Sequence, residues 1–562
     1  MSLFEDILKA RGLTGEKRDS FLRPQYENGH DPFKLPDMDK AVERLVVARE
    51  RQDHITIYGD YDIDGLTATT VLLEAFERFG FKYVEAYIPN RFVEGYGLTV
   101  DAVETIAAAG ANLIVTVDCG SLSTNEITRA NELGVDVIVT DHHNVLKVQP
   151  PAVAVINPKR YLDEDPGLYE NYVLKNPKKH PSHYPFLDLP GVGVAFKLVQ
   201  ALQTRLDGLP VGHEKWLLDL VGLGTVCDVV TLQDENRMHV YYGLHVTQKT
   251  RRPGLKALMM VAGVDPHKVN ARSFGFQLGP RMNASGRLDT ARYSLEMLRA
   301  TDGMVALDKA QQLDAMNLER RKEQDRIFKE AVAIADAMAD DSVLVVSGKN
   351  WSHGIIGIVA AKLLEKYKKP AYVLEEMGEE SKGSARSYGD FSAADAIRAS
   401  DDIITKGGGH KLAAGVTLPT KNIAAFRARV NEYYASLNLH NQIEKLLPAA
   451  DVSIDSLQEV TEALIEQLAQ LEPFGNGNPE PVLRLNDALV TNTRRMGADG
   501  QHVKIQVQDM DSKRIELLAF GAPAHWFVEP GERVNVWFQP NINEWNGNKT
   551  VEGRLMHMEL VA

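Results

Sequence analysis

Tyr58-Gly59-Asp60-Tyr61-Asp62-Ile63-Asp64-Gly65 decides how the rest of this 562-residue chain is read. It follows the aliphatic run Ile55-Thr56-Ile57 and opens a helical run from Leu66 to Phe79. On an extended backbone alternate side chains point the same way, so Asp60, Asp62 and Asp64 converge. Carboxylates held that close raise one another's pKa unless a cation lies among them. The stretch predicts a hard-cation site at the carboxyl end of a strand.

Working outward, strand-like and helical runs alternate. Tyr83 to Ile88 is strand-like and Thr99 to Ala109 helical; Leu113 to Asp118 is apolar and stops at Cys119-Gly120-Ser121. Thr124 to Leu133 is helical, and the run Val135 to Thr140 ends in Asp141-His142-His143. Short aliphatic strands alternating with helices predict an α/β fold built on a doubly wound parallel sheet. Ligands gather at the carboxyl ends of such strands. Polar clusters end three successive candidate strands here, which weighs more than any one cluster. A helical run, Glu214 to Gly224, leads to a further carboxylate, Asp228, in the apolar frame Val226-Cys227-Asp228-Val229-Val230, which reads as another strand end.

Length predicts three or four domains. The divisions read as a helical lead-in over residues 1–53, a catalytic α/β domain over 54–304 and a long charged connecting helix over 305–340. A smaller α/β domain over 341–446 and a strand-rich segment over 447–562 complete the chain, the latter patterned as a small β-barrel. Residues between Lys159 and Pro190 lose periodicity and predict a long surface loop. Two cysteines, Cys119 and Cys227, cannot make a disulfide framework and are expected to be buried thiols. With no signal-peptide core and no window long enough for a membrane span, the expected location is the cytoplasm, with no membrane partner.

A net charge of −14 argues against a surface coated in nucleic acid but leaves room for a narrow basic track. Arg91, Arg281, Arg287, Arg386, Lys406, His410 and Lys411 all read as standing in glycine-rich loops, where backbone N–H groups and arginine can grip phosphate. Asn283 lies in one of these, and Gly407-Gly408-Gly409 before His410 needs a backbone reason. Mixed carboxylate and imidazole ligation suits Mn²⁺ and, less fully, Mg²⁺. A set this large can hold two cations, the arrangement that activates water and clamps both oxygens in phosphate-ester hydrolysis.

The Gly59–Gly65 stretch, the Val117-Asp118-Cys119-Gly120 turn, Asp141-His142-His143 and Asp228 resemble the four motifs of the DHH phosphoesterase superfamily. Gly383-Ser384-Ala385-Arg386-Ser387 and Gly407-Gly408-Gly409-His410 resemble its DHH-associated domain. Pro473-Phe474-Gly475-Asn476-Gly477-Asn478-Pro479-Glu480-Pro481 before a β-rich end resembles the OB-fold domain of the superfamily's single-strand exonucleases.

The resemblance implies hydrolysis of single-stranded DNA from the 5′ end to mononucleotides, in DNA repair and recombination, with two Mn²⁺ or Mg²⁺ ions. It implies Asp62 and Asp118 on one metal and Asp64, Asp118, His142 and Asp228 on the other, with Asp118 bridging. His143 would face the scissile phosphate, and Asp60 and Asp141 would orient the ligands from behind. A 5′-phosphate pocket is expected from Arg281, Ser384 and Arg386, with Trp526, Phe527, Trp537 and Trp545 as stacking candidates. The strand is expected to thread between the two α/β domains. Expected partners are single-stranded DNA, a single-strand-binding protein and a RecQ-type helicase, with the chain itself a monomer. Relatives such as the family II pyrophosphatases carry a histidine where this chain has Tyr58, so the first metal is expected to bind more weakly. The alternatives are an oligoribonucleotide or cyclic-dinucleotide phosphodiesterase, which lacks the OB-like end, and a catalytically inactive DNA-binding scaffold, which would have lost ligands.

Overall fold

The computed structural model describes residues 2–160, 184–439, 443–497, 499–545 and 547–561. The chain divides into two compact units. The first comprises Met1–Asn283, Thr290–Gln311 and Pro448–Ala562; the second comprises Ala284–Asp289 and Gln312–Leu447.

At the centre of the first unit is a five-stranded sheet in the order β2-β1-β3-β4-β5. The strands are β1 (Ile55–Gly59), β2 (Val84–Tyr87), β3 (Leu113–Val117), β4 (Asp136–Thr140) and β5 (Ala154–Ile156). Every pairing is parallel. Strands β1 and β3 are buried along their whole length, which is why they read as unbroken aliphatic runs. Gly59 pairs with Val117, and Val117 with Thr140, so three strands end in one row. The residues that follow, Asp60, Asp118 and Asp141, therefore start from a common edge.

The same unit closes at its C-terminal end as a barrel. Strands β11 (Val452–Ile454), β12 (Leu483–Met496), β13 (His502–Gln508), β14 (Arg514–Ala519), β15 (Arg533–Trp545) and β16 (Asn548–Leu560) form one sheet, which closes through the pairing of β12 with β15. Alternation along β13, with Val503, Ile505 and Val507 inward, gives the barrel its core. The N-terminal helix Leu3–Ala10 packs Leu3, Phe4, Ile7 and Leu8 into that core. Arg11 follows it and binds Asp451 at 2.6 Å. The lead-in thus shares the barrel's core, a pairing across the length of the chain that no local pattern announces.

The second unit holds another five-stranded sheet, in the order β6-β7-β8-β10-β9. Its strands are β6 (Leu344–Lys349), β7 (Ala371–Met377), β8 (Glu380–Arg386), β9 (Lys406–Gly409) and β10 (Ala413–Pro419). Only β6 and β7 are parallel. The helix Gly303–Ala335 belongs to the first unit through Gln311 and to the second beyond it. Ile327, Ala331 and Ala335 enter the second unit's core, and the charged residues between them face water.

Four sequence expectations change here. Asp60, Asp62 and Asp64 do not alternate along an extended strand: β1 ends at Gly59, Asp62 caps the helix Ile63–Phe79 and Asp64 lies in its first turn, so the helix start and not a strand pleat separates them. Gly279–Leu288 is a helix rather than a loop, so Arg281, Asn283 and Arg287 are helical. Ser384 and Arg386 lie in strand β8, and Lys406–Gly409 is strand β9. Glycine reads as turn punctuation, but in β9 it answers close packing: a Cβ on Gly407 would lie 2.4 Å from Ile397 Cγ2. Asp228 caps the C-terminus of the helix Leu218–Cys227, not a strand. The helix read as ending at Gly224 runs on to Cys227, so the apolar frame around Asp228 is a helix end and not a strand. The expected Lys159–Pro190 loop lies for the most part outside the described residues.

Candidate metal centre

Asp62 is the N-cap of the helix Ile63–Phe79 and accepts from Asp64 N at 2.9 Å and Gly65 N at 3.2 Å through Oδ1. Capping fixes that carboxylate without using Oδ2. Gly65 is required: a Cβ there would stand 2.5 Å from the Asp60 carbonyl oxygen. Asp64, in the first helical turn, is held by a second helix start, the Gly191 N–H at 2.6 Å and the Val192 N–H at 2.8 Å. A side chain at Gly191 would collide with Asp118, 2.6 Å from its Cβ.

Asp118 leaves β3 with φ +62, a left-handed conformation that costs an aspartate little but is rare enough to suggest function. The Asp141 carboxylate works as a local clamp. Its Oδ1 accepts from the N–H groups of His142 (2.7 Å) and His143 (3.1 Å) and from His143 Nδ1 (2.9 Å), while Oδ2 accepts from Ser121 N (3.0 Å). The Asn157 amide, just past β5, donates to the His143 carbonyl and to Ser121 Oγ, both at 2.9 Å.

The ligand-type atoms converge in three groups, each within 4.8 Å: Asp60, Asp62 and Asp118; Asp118, His142 and His143; and Asp64, His142 and Asp228. His142 Nε2 stands 3.0 Å from Asp118 Oδ1, 3.7 Å from Asp228 Oδ2 and 3.8 Å from Asp64 Oδ2. Yet Asp60 Oδ1, Asp118 Oδ1, His142 Nε2 and Asp228 Oδ2 are buried with no hydrogen-bond partner among the described residues. Close approach without hydrogen bonding is what atoms aimed at a shared centre show, and leaving such groups unpaired is costly.

The electrostatics agree. Burial and the charge of Asp62 push Asp60 well up; burial and then the charges of Asp64 and Asp62 do the same to Asp118 and to Asp228. Asp228 is further disfavoured as an anion by its place at a helix C-terminus. Asp64 is pushed up to about 7 by burial and by Asp62. His142 is pushed down to about 3 by burial and by His143, which keeps it neutral, as a ligand must be. Burial alone would raise Asp141 and lower His143, but the bond between them outweighs it in both: the carboxylate is held low and the imidazole raised. Four carboxylates that resist ionisation together beside a neutral imidazole fit a pair of divalent cations.

Tyr58 does not face this site. It is fully buried on the opposite packing layer, stacked on Tyr87, and its hydroxyl donates to the Gly97 carbonyl at 2.8 Å. That bond anchors the loop carrying Arg91, whose guanidinium lies 4.2 Å over the Tyr61 ring, and Tyr96. Tyr96 places its hydroxyl 3.1 Å from His143 Nδ1 and was not singled out from sequence. Neither were Asn157 and the Gly191 helix start, although a polar residue ending a fifth aliphatic run was a usable signal for Asn157.

Arg281 donates to the Gln277 carbonyl at 2.7 Å in the first unit, and Arg287 to Gly354 O at 2.8 Å in the second. In the second unit Arg386 stands over Ser384 Oγ (3.2 Å) and against Gly357, in the first turn of the helix Ile356–Tyr367. Burial lowers its pKa, and among the described residues no carboxylate pairs with it. Gly407, Gly408, Gly409 and His410 are exposed. In the barrel, Trp526 and Phe527 pack partly on the core, Arg495 covers the Phe527 ring at 4.1 Å, and Arg484 covers Trp537 at 4.6 Å. The Trp545 side chain lies outside the described residues. Cys119 is fully buried and Cys227 largely so.

A parallel sheet with this acidic and imidazole edge defines a metal-dependent phosphoesterase of the DHH type, and residues 54–225 match the DHH family N-terminal domain. Residues 340–436 match the DHHA1 domain and 451–557 the RecJ OB domain. The chain belongs to the RecJ family. It is 32% identical over 545 residues to the single-stranded-DNA-specific exonuclease RecJ of Salmonella typhimurium, covering 92% of this chain and 89% of that one. It is 36% identical to the RecJ of Bacillus subtilis, covering 97% of this chain and 66% of that longer one. The crystal structure of Thermus thermophilus RecJ with Mn²⁺ superposes with a TM-score of 0.80 at 28% identity, covering 100% of this chain and 78% of that chain. A second structure of that protein contains Mg²⁺.

Proposed function

We propose that this chain is a single-stranded-DNA exonuclease that removes nucleotides from the 5′ end by two-cation phosphodiester hydrolysis. The observation that carries the reading is the set of buried, unpartnered ligand atoms on Asp60, Asp118, His142 and Asp228, which fall in converging groups joined through Asp118 and His142. Asp62 and Asp118, with Asp60 beside them to orient the pair, would hold one Mn²⁺ or Mg²⁺ ion; Asp64, His142 and Asp228, with Asp118 shared, would hold the other. When bound, such a pair lowers the pKa of water and neutralises charge on the phosphate oxygens.

The chain's own residues do the rest. Asp141 accepts from His143 Nδ1 and so presents the raised-pKa imidazole, through Nε2, as a proton donor to a phosphate oxygen. The Tyr96 hydroxyl fixes the face of that ring. Asp62 and Asp64, each tied to helix N–H groups, keep their carboxylates from swinging together as protons are exchanged. In the second unit Ser384, Arg386 and the helix start at Ile356 form the anion subsite that would accept a terminal phosphate. Arg91, Arg281, Asn283, Arg287, Gly407, Gly408, Gly409 and His410 would contact the strand.

We further propose the five-part division at residues 53, 304, 340 and 446, and action as a cytoplasmic monomer on strands opened by a helicase and covered by a single-strand-binding protein. The matched domains at residues 54–225, 340–436 and 451–557 support the division; both cysteines are free, and among the described residues no helix is long and apolar enough to cross a membrane.

The test uses single strands labelled at the 5′ or the 3′ end, with and without Mn²⁺. Mononucleotide release should come first from the 5′ label and require the metal. Equal release from both ends, or metal-independent release, would sink the reading.

A further inference from the structure

The Pro473–Asn478 motif marks the approach to the barrel, but nothing in the hydrolytic site explains its chemistry. It stands against the turn that leaves Asp228. Val229, the next residue, has φ +63, a strained conformation for a β-branched side chain, and is 65% exposed, so packing does not hold it there. Asn476 does. Its Nδ2 donates to the Val229 carbonyl at 2.8 Å, and its own carbonyl accepts from Leu232 N at 2.8 Å. Gly475 lets the two segments approach: a Cβ there would stand 2.7 Å from Leu232 Cδ1.

The motif itself is anchored. Asn478 donates to the carbonyls of Leu471 and Pro473, both at 2.8 Å. The Arg237 guanidinium binds the carbonyls of Leu471, Glu472 and Pro473. An exposed amide on an anchored strap therefore clamps a strained turn one residue from a metal ligand.

The same turn reaches two further ligands. Thr231 donates its N–H to Asp188 Oδ2 at 2.8 Å. The residues after Asp188 are Leu189, whose backbone hydrogen-bonds His142, and Gly191 and Val192, whose N–H groups hold Asp64. Asp64, His142 and Asp228 form one of the converging ligand groups. The Asp60, Asp62 and Asp118 group touches the segment after Asp188 only where Gly191 packs on Asp118, and among the described residues it makes no hydrogen bond to the segment or to the motif.

We propose that Asn476 is a positioning residue for the cation held by Asp64, His142 and Asp228. It keeps Val229 in the left-handed conformation and so sets the direction of the Asp228 carboxylate. The proposal rests on the two-cation reading given above.

Calorimetric titration of the cation-free full-length protein with Mn²⁺ tests it. Wild type should bind two ions. Asn476→Ala should weaken one of them by about tenfold or more, the usual loss when a group supporting a ligand is removed. It should leave the other ion and the melting temperature of the cation-free protein unchanged. Adding Val229→Gly should restore most of the lost affinity, because glycine holds a positive φ without a clamp. Should Asn476→Ala fail to fold, Asn476→Asp replaces it: the shape and backbone acceptor stay, the amide donor goes, and the same single-site loss is expected. Unchanged affinity at both sites overturns the proposal. So does a loss at both sites with a lowered melting temperature that Val229→Gly leaves uncorrected. Wild type binding fewer than two ions would instead bring down the two-cation reading, in a measurement that involves no variant.

Discussion

Strands β1, β3 and β4 of the first sheet end in one row and pass into Asp60, Asp118 and Asp141; in the second sheet, β8 carries Ser384 and Arg386, and β9 is Lys406-Gly407-Gly408-Gly409. One region buries its charges and lets them face one another; the other exposes backbone and keeps a half-buried arginine with no acidic partner among the described residues. A cation site needs several anions forced together, here by a shared strand edge, by two helix ends and by the backbone N–H groups behind Asp62, Asp64 and Asp141. An anion site needs one positive group, a helix start and room for phosphate. The first is therefore dense in conformational constraint and the second sparse.

Removing a member of each should show that difference. Asp118→Ala takes out the carboxylate common to two ligand groups and should lower exonuclease turnover by at least about a thousandfold, since cation stabilisation is worth several kcal/mol. Arg386→Ala should act on binding instead. Its expected effect is a rise of about 10- to 100-fold in KM for 5′-phosphorylated strands, the worth of a charge-assisted hydrogen bond, with kcat kept. Strands with a 5′-hydroxyl should respond little. Equal losses on both substrates would remove Arg386 from the phosphate subsite.

Burial of charge also makes the first unit sensitive to acid. His239 is fully buried against Phe196, with both ring nitrogens unpartnered among the described residues, near the buried Lys197–Glu235 pair. Burial pushes its pKa down to about 4 from 6.5; Glu235 pulls upward and Lys197 adds to the lowering. The unfolded chain therefore takes up this proton first as pH falls. The stability His239 permits is intact above pH 6.5 and drains away between there and about 4, by up to about 3 kcal/mol. Urea melts across that window should show the slope in wild type and a flatter line in His239→Phe. If the two slopes coincide, His239 is not the group that titrates.

How much of this was legible in the sequence follows the same division. Asp60, Asp118, Asp141, His142 and His143 could be found because strand-end position is local, whereas Asp62 and Asp64 were read from an extended alternation the chain does not adopt: they cap and open the helix Ile63–Phe79. Asp228 was found as a residue but misplaced at a strand end, since the short apolar frame at residues 226–230 reads alike as the last turn of a helix or as a strand. The clamps on Asp64 at Gly191 and on Val229 at Asn476 join residues more than a hundred positions apart, and spacing carries no trace of them. Tyr58, weighed from its place in the motif as a missing metal ligand, proved a core residue that ties down the Arg91 loop. Strand direction, not sequence position, settled its role.

The smallest expected effect separates the two uses of glycine within β9. A methyl group on Gly407 would strike Ile397, 2.4 Å away, on the helix Ala393–Arg398 that packs against the strand. On Gly408 it would meet nothing within 4 Å. Both have ordinary negative φ, so backbone strain does not distinguish them. Gly407→Ala should therefore destabilise the second unit by about 1–3 kcal/mol, the usual cost of overpacking. Gly408→Ala should leave the melting temperature unchanged. If DNA lies along this exposed backbone, Gly408→Ala should still weaken binding to single strands severalfold, because the added carbon stands where a phosphate would approach. A Gly408→Ala protein that melts and binds like wild type would show that the open face of β9 is not part of the strand's path, leaving Ser384 and Arg386 to hold the anion alone.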